Sequence, residues 1–112
     1  MHELSITHNI VTIVGEAAKG RRVKRITLEV GKLSGVMSDA IAFCFDAITK
    51  GTALDGTVLH ITEIDAAAQC RTCGTEFIAS TLFTPCSCGS RDITRLRGEE
   101  LKITTMELEE AA

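Results

Sequence analysis

Cys70-x-x-Cys73 and Cys86-x-Cys88, with twelve residues between them, constrain this chain more than any other feature. The segment that carries them, CRTCGTEFIASTLFTPCSCGS, keeps neither a strand period nor a helix period. Residues 66–98 have few large apolar side chains, Phe77, Ile78, Leu82 and Phe83 among them, too few for a core of their own. A metal would supply the missing folding free energy. Zinc takes four thiolates in a tetrahedron with bonds of about 2.3 Å, and two knuckles joined by a short hairpin deliver such a set. Gly74 and Gly89 each follow a pair and suit the tight turns a knuckle needs. The C-x-C pair adds a condition. Residues two apart on an extended chain point the same way but far apart along it unless the chain folds, so Cys86 and Cys88 reach one ion only if Ser87 sits at a sharp turn.

Other uses of paired cysteines fit less well. A thioredoxin-like redox pair lacks its βαβ surroundings, disulfides are disfavoured in a reducing cytosol, and the spacing matches no familiar iron–sulfur run. Cys44 falls on the inward stripe of a helix and reads as an ordinary buried thiol, a reserve ligand should Cys86 or Cys88 not reach.

Outside the cysteine segment the periods are regular. Ile6, Ile10, Ile13, Val14 and Ala17 form one stripe of a helix over residues 5–19, with Ser5 as its cap and Gly20 after its end. VKRITLEVGKL alternates, with Ile26, Leu28 and Val30 on the inner face of a strand. Ser38 is placed to cap a second helix that stops at Gly51 and turns Ile41, Cys44, Phe45 and Ile48 inward. A second strand is expected at 57–64. In the last strand, LKITTMELE, Leu101/Ile103 and Met106/Leu108 are out of phase by one residue, which predicts a bulge. The expected fold is α+β, two helices on one face of a small sheet of about three strands, with a zinc-ribbon-like module inserted. Residues 1–65 plus 99–112 form the α+β domain and residues 66–98 the insert.

Composition bounds the function. The chain has 112 residues and 45% apolar content, enough for one domain with a small insert. It shows no membrane-length apolar run and no signal-peptide zones, so a cytoplasmic protein off the membrane is expected. A net charge of −3, four Phe and neither Trp nor Tyr argue against nucleic acid. The clusters Arg21-Arg22-Lys24-Arg25 and Arg91/Arg95/Arg97 read as solvated loops and strand ends. His8 should face solvent, and His60 reads as a hydrogen-bonded structural residue in its strand. No nucleophile–base set, paired carboxylates or phosphate loop can be placed, so no enzyme is expected. A zinc-ribbon adaptor for protein or nucleic acid, or a thiol oxidoreductase at Cys70/Cys73, remain the alternatives from the residues alone.

The chain opens Met1-His2-Glu3-Leu4. A free amine, the His2 and Glu3 amide nitrogens and the His2 imidazole can offer four nitrogens in a plane, the geometry of Ni(II) or Cu(II) and not of zinc. Glu3 can add a carboxylate or orient the imidazole.

MHEL, GKLSGV, AIAFCFDAITKGT, the C-x-x-C pair and GEELKITTMELEE, in this order, resemble the hydrogenase maturation factor family HypA/HybF over essentially the whole chain. The resemblance implies a nickel metallochaperone that delivers Ni(II) to the large subunit of [NiFe]-hydrogenase alongside the nickel GTPase HypB. It implies Ni(II) on Met1, His2 and Glu3, and structural Zn(II) on Cys70, Cys73, Cys86 and Cys88, in a monomer or weak homodimer. One departure stands out. The family's second pair reads C-x-x-C-G, and Cys86-Ser87-Cys88-Gly89 shifts the first of these cysteines by one residue.

Overall fold

The computed structural model describes residues 2–110. The order of elements is α1 (His2–Ala18), β1 (Val23–Gly31), α2 (Ser38–Thr49), β2 (Val58–Ile64), β3 (Ala67–Cys70), β4 (Glu76–Ile78), β5 (Ile93–Arg97) and β6 (Leu101–Leu108). β1 is the centre of a mixed sheet, parallel to β2 on one side and antiparallel to β6 on the other. Ile26, Leu28 and Val30 of β1 point to one face, where α1 contributes Ile10, Val14 and Ala18 and α2 contributes Ile41 and Phe45 to a single core. The expected α+β layer, two helices on one face of three strands, is what these residues build.

The details differ from the sequence pattern at four points. α1 begins at His2 and not at Ser5, so Ser5 lies inside the helix. Its buried line is Thr7, Ile10, Val14 and Ala18, whereas Ile13 is 56% exposed and Ala17 faces solvent. Thr7 can be completely buried because its hydroxyl donates to the Glu3 carbonyl at 2.6 Å, leaving no orphaned polar atom. Ser38 is the first residue of α2; the capping position is Met37, which offers no side-chain cap. His60 is exposed on β2 and not an interior residue. The bulge in β6 is present: Thr27 pairs with Thr105 and Leu28 with Ile103, so Thr104 is skipped and Ile103, Met106 and Leu108 all reach the core.

The cysteine segment has a sheet of its own, in the order β4-β3-β5 and antiparallel throughout. Its core is Ala66, Ala68 and Ala79 with Phe77, Ile93 and, from the loop after β1, Leu33. The two sheets meet at a crowded crossing. Gly31 N–H donates to the Glu100 carbonyl and Leu33 N–H to the Gly98 carbonyl, each at 2.7 Å. A Cβ on Gly31 would overlap the Gly98 carbonyl, and one on Gly98 would sit 2.5 Å from the Ala66 Cβ. Only glycine allows the backbones this close. The molecule is drawn out to 58 × 29 × 17 Å with a radius of gyration of 17.6 Å, against about 13 Å for a compact chain of this length.

Among the described residues, Leu33 is therefore the one large side chain that the main domain lends to the insert's core. Leu33→Ala is expected to cost the insert about 1–2 kcal/mol, below the range of about 2–5 kcal/mol for a fully buried leucine because Leu33 is only half-buried. Amide hydrogen exchange would show it as faster exchange at Ala68 with β1 unchanged. Equal loosening of both sheets would contradict this division of labour.

Candidate metal centre

β3 ends at Cys70, and the chain turns at once. Gly74 N–H donates to the Cys70 carbonyl at 2.9 Å, and Gly74 itself is left-handed at φ 81. The turn carries Cys73 back over Cys70, whose sulfur accepts from the Cys73 N–H at 3.4 Å. The second knuckle repeats the device: Gly89 N–H donates to the Cys86 carbonyl at 2.9 Å, closing a four-residue turn with Ser87 inside it. The sharp turn that the C-x-C spacing demands is thus present, and it brings the Cys86 and Cys88 sulfurs close enough to share one ion. Thr72 and Ser90 hydroxyls, 2.8 Å apart, join the two knuckles, and Arg71 N–H donates to the Asp92 carbonyl at 2.9 Å.

The four sulfurs converge. Cys70 and Cys88 lie 3.7 Å apart, Cys73 and Cys86 3.6 Å apart, and all four sulfurs are within 4.8 Å of one another. A tetrahedral ion with bonds of about 2.3 Å sets its sulfurs about 3.8 Å apart, so the cluster has the dimensions of a four-thiolate zinc site. Cys70 and Cys86 are buried, Cys73 and Cys88 exposed, so two ligands are walled in and two face outward. Cys44, half-buried on α2, is not part of the group.

The donor chemistry fits a cation too. The Cys73 N–H, first among several hydrogen bonds, pulls the Cys70 thiol down to about 6. The Thr75 hydroxyl, 3.3 Å from its sulfur, lowers Cys73. The Ser90 N–H favours the Cys88 thiolate, but the Cys86 and Cys70 sulfurs outweigh it and push Cys88 up to about 11. Cys70, Cys73 and Cys88 therefore do not ionise alike, and a divalent cation is the partner that makes four thiolates compatible. Among the described residues this is the only cluster of at least three metal-binding side chains. Thr75 was not marked in the sequence, although a hydroxyl two residues after a knuckle cysteine is a signal that a knuckle reading could use.

At the other end, His2 is the first residue of α1 and is exposed. Glu3 is half-buried, and its carboxylate accepts from the Met37 N–H at 3.3 Å, bridging the start of α1 to the start of α2. Nothing in the sequence marks this pairing, because it joins residues 34 apart. Met1, expected to supply an amine, lies outside the described residues. The first N–H groups of a helix have no intrahelical acceptor, so using the His2 and Glu3 amides as ligands breaks no helical hydrogen bond.

Its own backbone N–H, followed by that of Met37, holds the Glu3 carboxyl below the ordinary value of 4.5. A lowered pKa means that the bond to Met37 is fully present above 4.5 and is lost as pH falls through the lower folded value. The Met37 amide shift is expected to titrate with a midpoint below 4.5 in an NMR pH series, and to stop titrating in Glu3→Gln. A midpoint at or above 4.5 would contradict the bridge.

The family model described as hydrogenase/urease nickel incorporation, metallochaperone, hypA matches residues 1–108. The hydrogenase maturation factor HypA of Nostoc sp. (strain PCC 7120) is 54% identical over 110 residues, covering 98% of this chain and 97% of the relative. That of Geobacter metallireducens is 46% identical over 110 residues, covering 97% and 100%. In fold, the chain is similar to the solution structure of the Ni metallochaperone HypA from Helicobacter pylori, with a TM-score of 0.64 at 19% identity over 95% of this chain and 96% of that one. It is also similar to a second HypA solution structure, with a TM-score of 0.71 over 97% of both chains.

Proposed function

The chain belongs to the HypA family of hydrogenase/urease nickel-incorporation metallochaperones, and from that premise we propose that it carries Ni(II) on Met1, His2 and Glu3. As a member of that family it is a nickel metallochaperone of hydrogenase maturation, a carrier and not a catalyst. The observation that supports the amino-terminal reading is that α1 begins at His2, with an exposed imidazole beside amides that owe nothing to the helix. In our reading the planar nitrogens come from the Met1 amine, the His2 and Glu3 amides and the His2 ring, while the Glu3 carboxylate positions the first turn against α2. A cargo site should be open to solvent and easily broken, and the exposed start of a helix is both.

We assign Zn(II) to Cys70, Cys73, Cys86 and Cys88 as a structural ion, held by the insert 66–98 in a nickel-binding domain of residues 1–65 plus 99–112. The sulfur-only donor set and its dimensions favour zinc. The cluster also speaks against a thiol oxidoreductase, since Cys70 and Cys73 are each engaged with a sulfur of the second knuckle and are not a lone dithiol. The partners that suit a carrier of this kind are the nickel GTPase HypB and the hydrogenase large subunit, in the cytoplasm. Among the described residues, no helix is long and apolar enough to cross a membrane.

The test is an NMR titration of the untagged, zinc-loaded chain with Ni(II). We expect the perturbed amides to be those of residues 3–6 and Met37, with the cysteine knuckles unmoved. Perturbation centred on residues 70–90 instead would overturn the assignment.

A further inference from the structure

The net charge of −3 conceals a bipolar molecule. Residues 66–98 carry four arginines against Glu76 and Asp92, a net of +2, and the rest carries eight basic against thirteen acidic residues, a net of −5. The positive charge of the insert gathers along one strand. Arg95 and Arg97 lie within β5, and Arg91 stands two residues before it. β5 pairs with β3 on one side only, and among the described residues no strand pairs with its other side.

Two open grooves follow that free edge. One, of about 500 Å³, touches Ile93, Thr94 and Arg95 and has Leu82 and Phe83 as its apolar wall. The next, of about 290 Å³, touches Arg95, Leu96 and Arg97. Consecutive strand residues point to opposite faces, so a groove that touches three in a row runs along the edge and not over one face. Phe83 stands 77% exposed beside it. Arg71 and Arg95 are tied to Asp92 and Glu99, at 3.2 and 3.1 Å. Arg91 and Arg97 are in no ion pair among the described residues. These two bracket the edge, about 20 Å apart along an extended chain. The register is regular from Ile93 to Arg95 and slips at Leu96, so residues 93–95 offer the straightest stretch for pairing.

We propose that the free edge of β5 receives, as an added strand, an extended segment of a partner protein that is acidic at both ends and apolar between. Main-chain hydrogen bonds to residues 93–95 hold the segment, Leu82 and Phe83 take an apolar side chain, and Arg91 and Arg97 take the two carboxylates. A second copy of this strand is a poor occupant, because β5 laid antiparallel on β5 sets arginine against arginine. Nucleic acid is the weaker occupant, because Asp92, Glu99 and Glu100 leave the four arginines with a net charge of only +1, and Phe83 is the one aromatic at the grooves. β4, the other edge of this sheet, has three residues, Glu76 among them and none basic, so it does not offer the same site. The ion pairs are solvent-exposed, so the association is weak and salt-sensitive.

NMR titration of the untagged, zinc-loaded chain tests this with a capped peptide in which valine, threonine and phenylalanine alternate between two terminal glutamates. Shifts are expected at amides 91–97 and in the loop 82–84, and should fade as salt is raised. The same peptide with terminal lysines should bind about tenfold more weakly, as should the glutamate peptide to Arg91→Glu or Arg97→Glu. The lysine peptide should regain that affinity on the combined Arg91→Glu/Arg97→Glu chain. Both arginines are exposed, so zinc content and helical circular dichroism should not change, which separates loss of docking from loss of fold. A glutamate peptide methylated at its interior nitrogens keeps the charges but loses the main-chain bonds, and should not bind. Binding indifferent to that methylation overturns the added strand. So does the absence of shifts at β5 with millimolar peptide in low salt, or a single-stranded oligonucleotide that binds more tightly than the peptide.

Discussion

His2→Ala is expected to lower Ni(II) affinity by at least about a hundredfold while leaving zinc content unchanged. Removing a partner that merely orients a ligand costs about 10–100-fold, and the imidazole is proposed here as a ligand itself. His2 is exposed and supports no packing, so its loss should not disturb α1. A chain with two residues added before Met1 should bind as poorly, because the extension moves the amine away and turns the Met1 nitrogen into an amide. The two variants separate the ring from the amine. Nickel binding that survives the extension but not His2→Ala would remove the amine from the ligand set, and binding indifferent to both would place the cargo elsewhere. Mild acidification should release nickel from the native chain, since protons compete with a metal for its ligand donors.

Stripping the metal from the cysteine cluster is expected to unfold the insert and spare the helical layer. Zinc contributes apparent free energies of about 10–16 kcal/mol to small thiolate modules at neutral pH. Against that loss the insert has only Ala66, Ala68 and Ala79, packed by Leu33, Phe77 and Ile93. With a strong chelator, hydrogen exchange should lose protection in β3 and β5 while α1, α2 and β1 keep theirs, and helical circular dichroism should persist. Cys86→Ser should reproduce the effect in part, because Cys86 is buried and shares the cluster with Cys73. The pH response has a definite sign. Cys70, lowered from 9.0 to about 6, contributes stability that is present above 9.0 and lost as pH falls through about 6. Acid below that point removes both the metal and the favoured thiolate. An insert that stays protected without metal would show that its small core suffices alone.

Two of the sequence patterns translated directly because their cause is local. The phase slip between Ile103 and Met106 became the bulge at Thr104, since alternation leaves no other way to turn both side chains inward. The cysteine spacing became a cluster, since each knuckle closes with a hydrogen bond between residues three or four apart. Where the pattern misled, a distant partner decided. Ile13 matches the apolar stripe as well as Val14 does, yet only the packing of α1 on α2 and β1 selects which of them is covered. The insert's strands are three to five residues long and its core is alanine, so no period rises above background.

By itself, then, the sequence determined the two helices, the three strands of the main sheet, the sulfur donors and the family. All of these rest on period, spacing and residue chemistry within short stretches. The tertiary structure alone decided that β1 runs parallel to β2 between two edge strands, that Leu33 fills the insert, and that the Glu3 carboxylate reaches the Met37 amide. Those contacts join residues more than thirty positions apart, and such closeness is set by packing that no local pattern encodes.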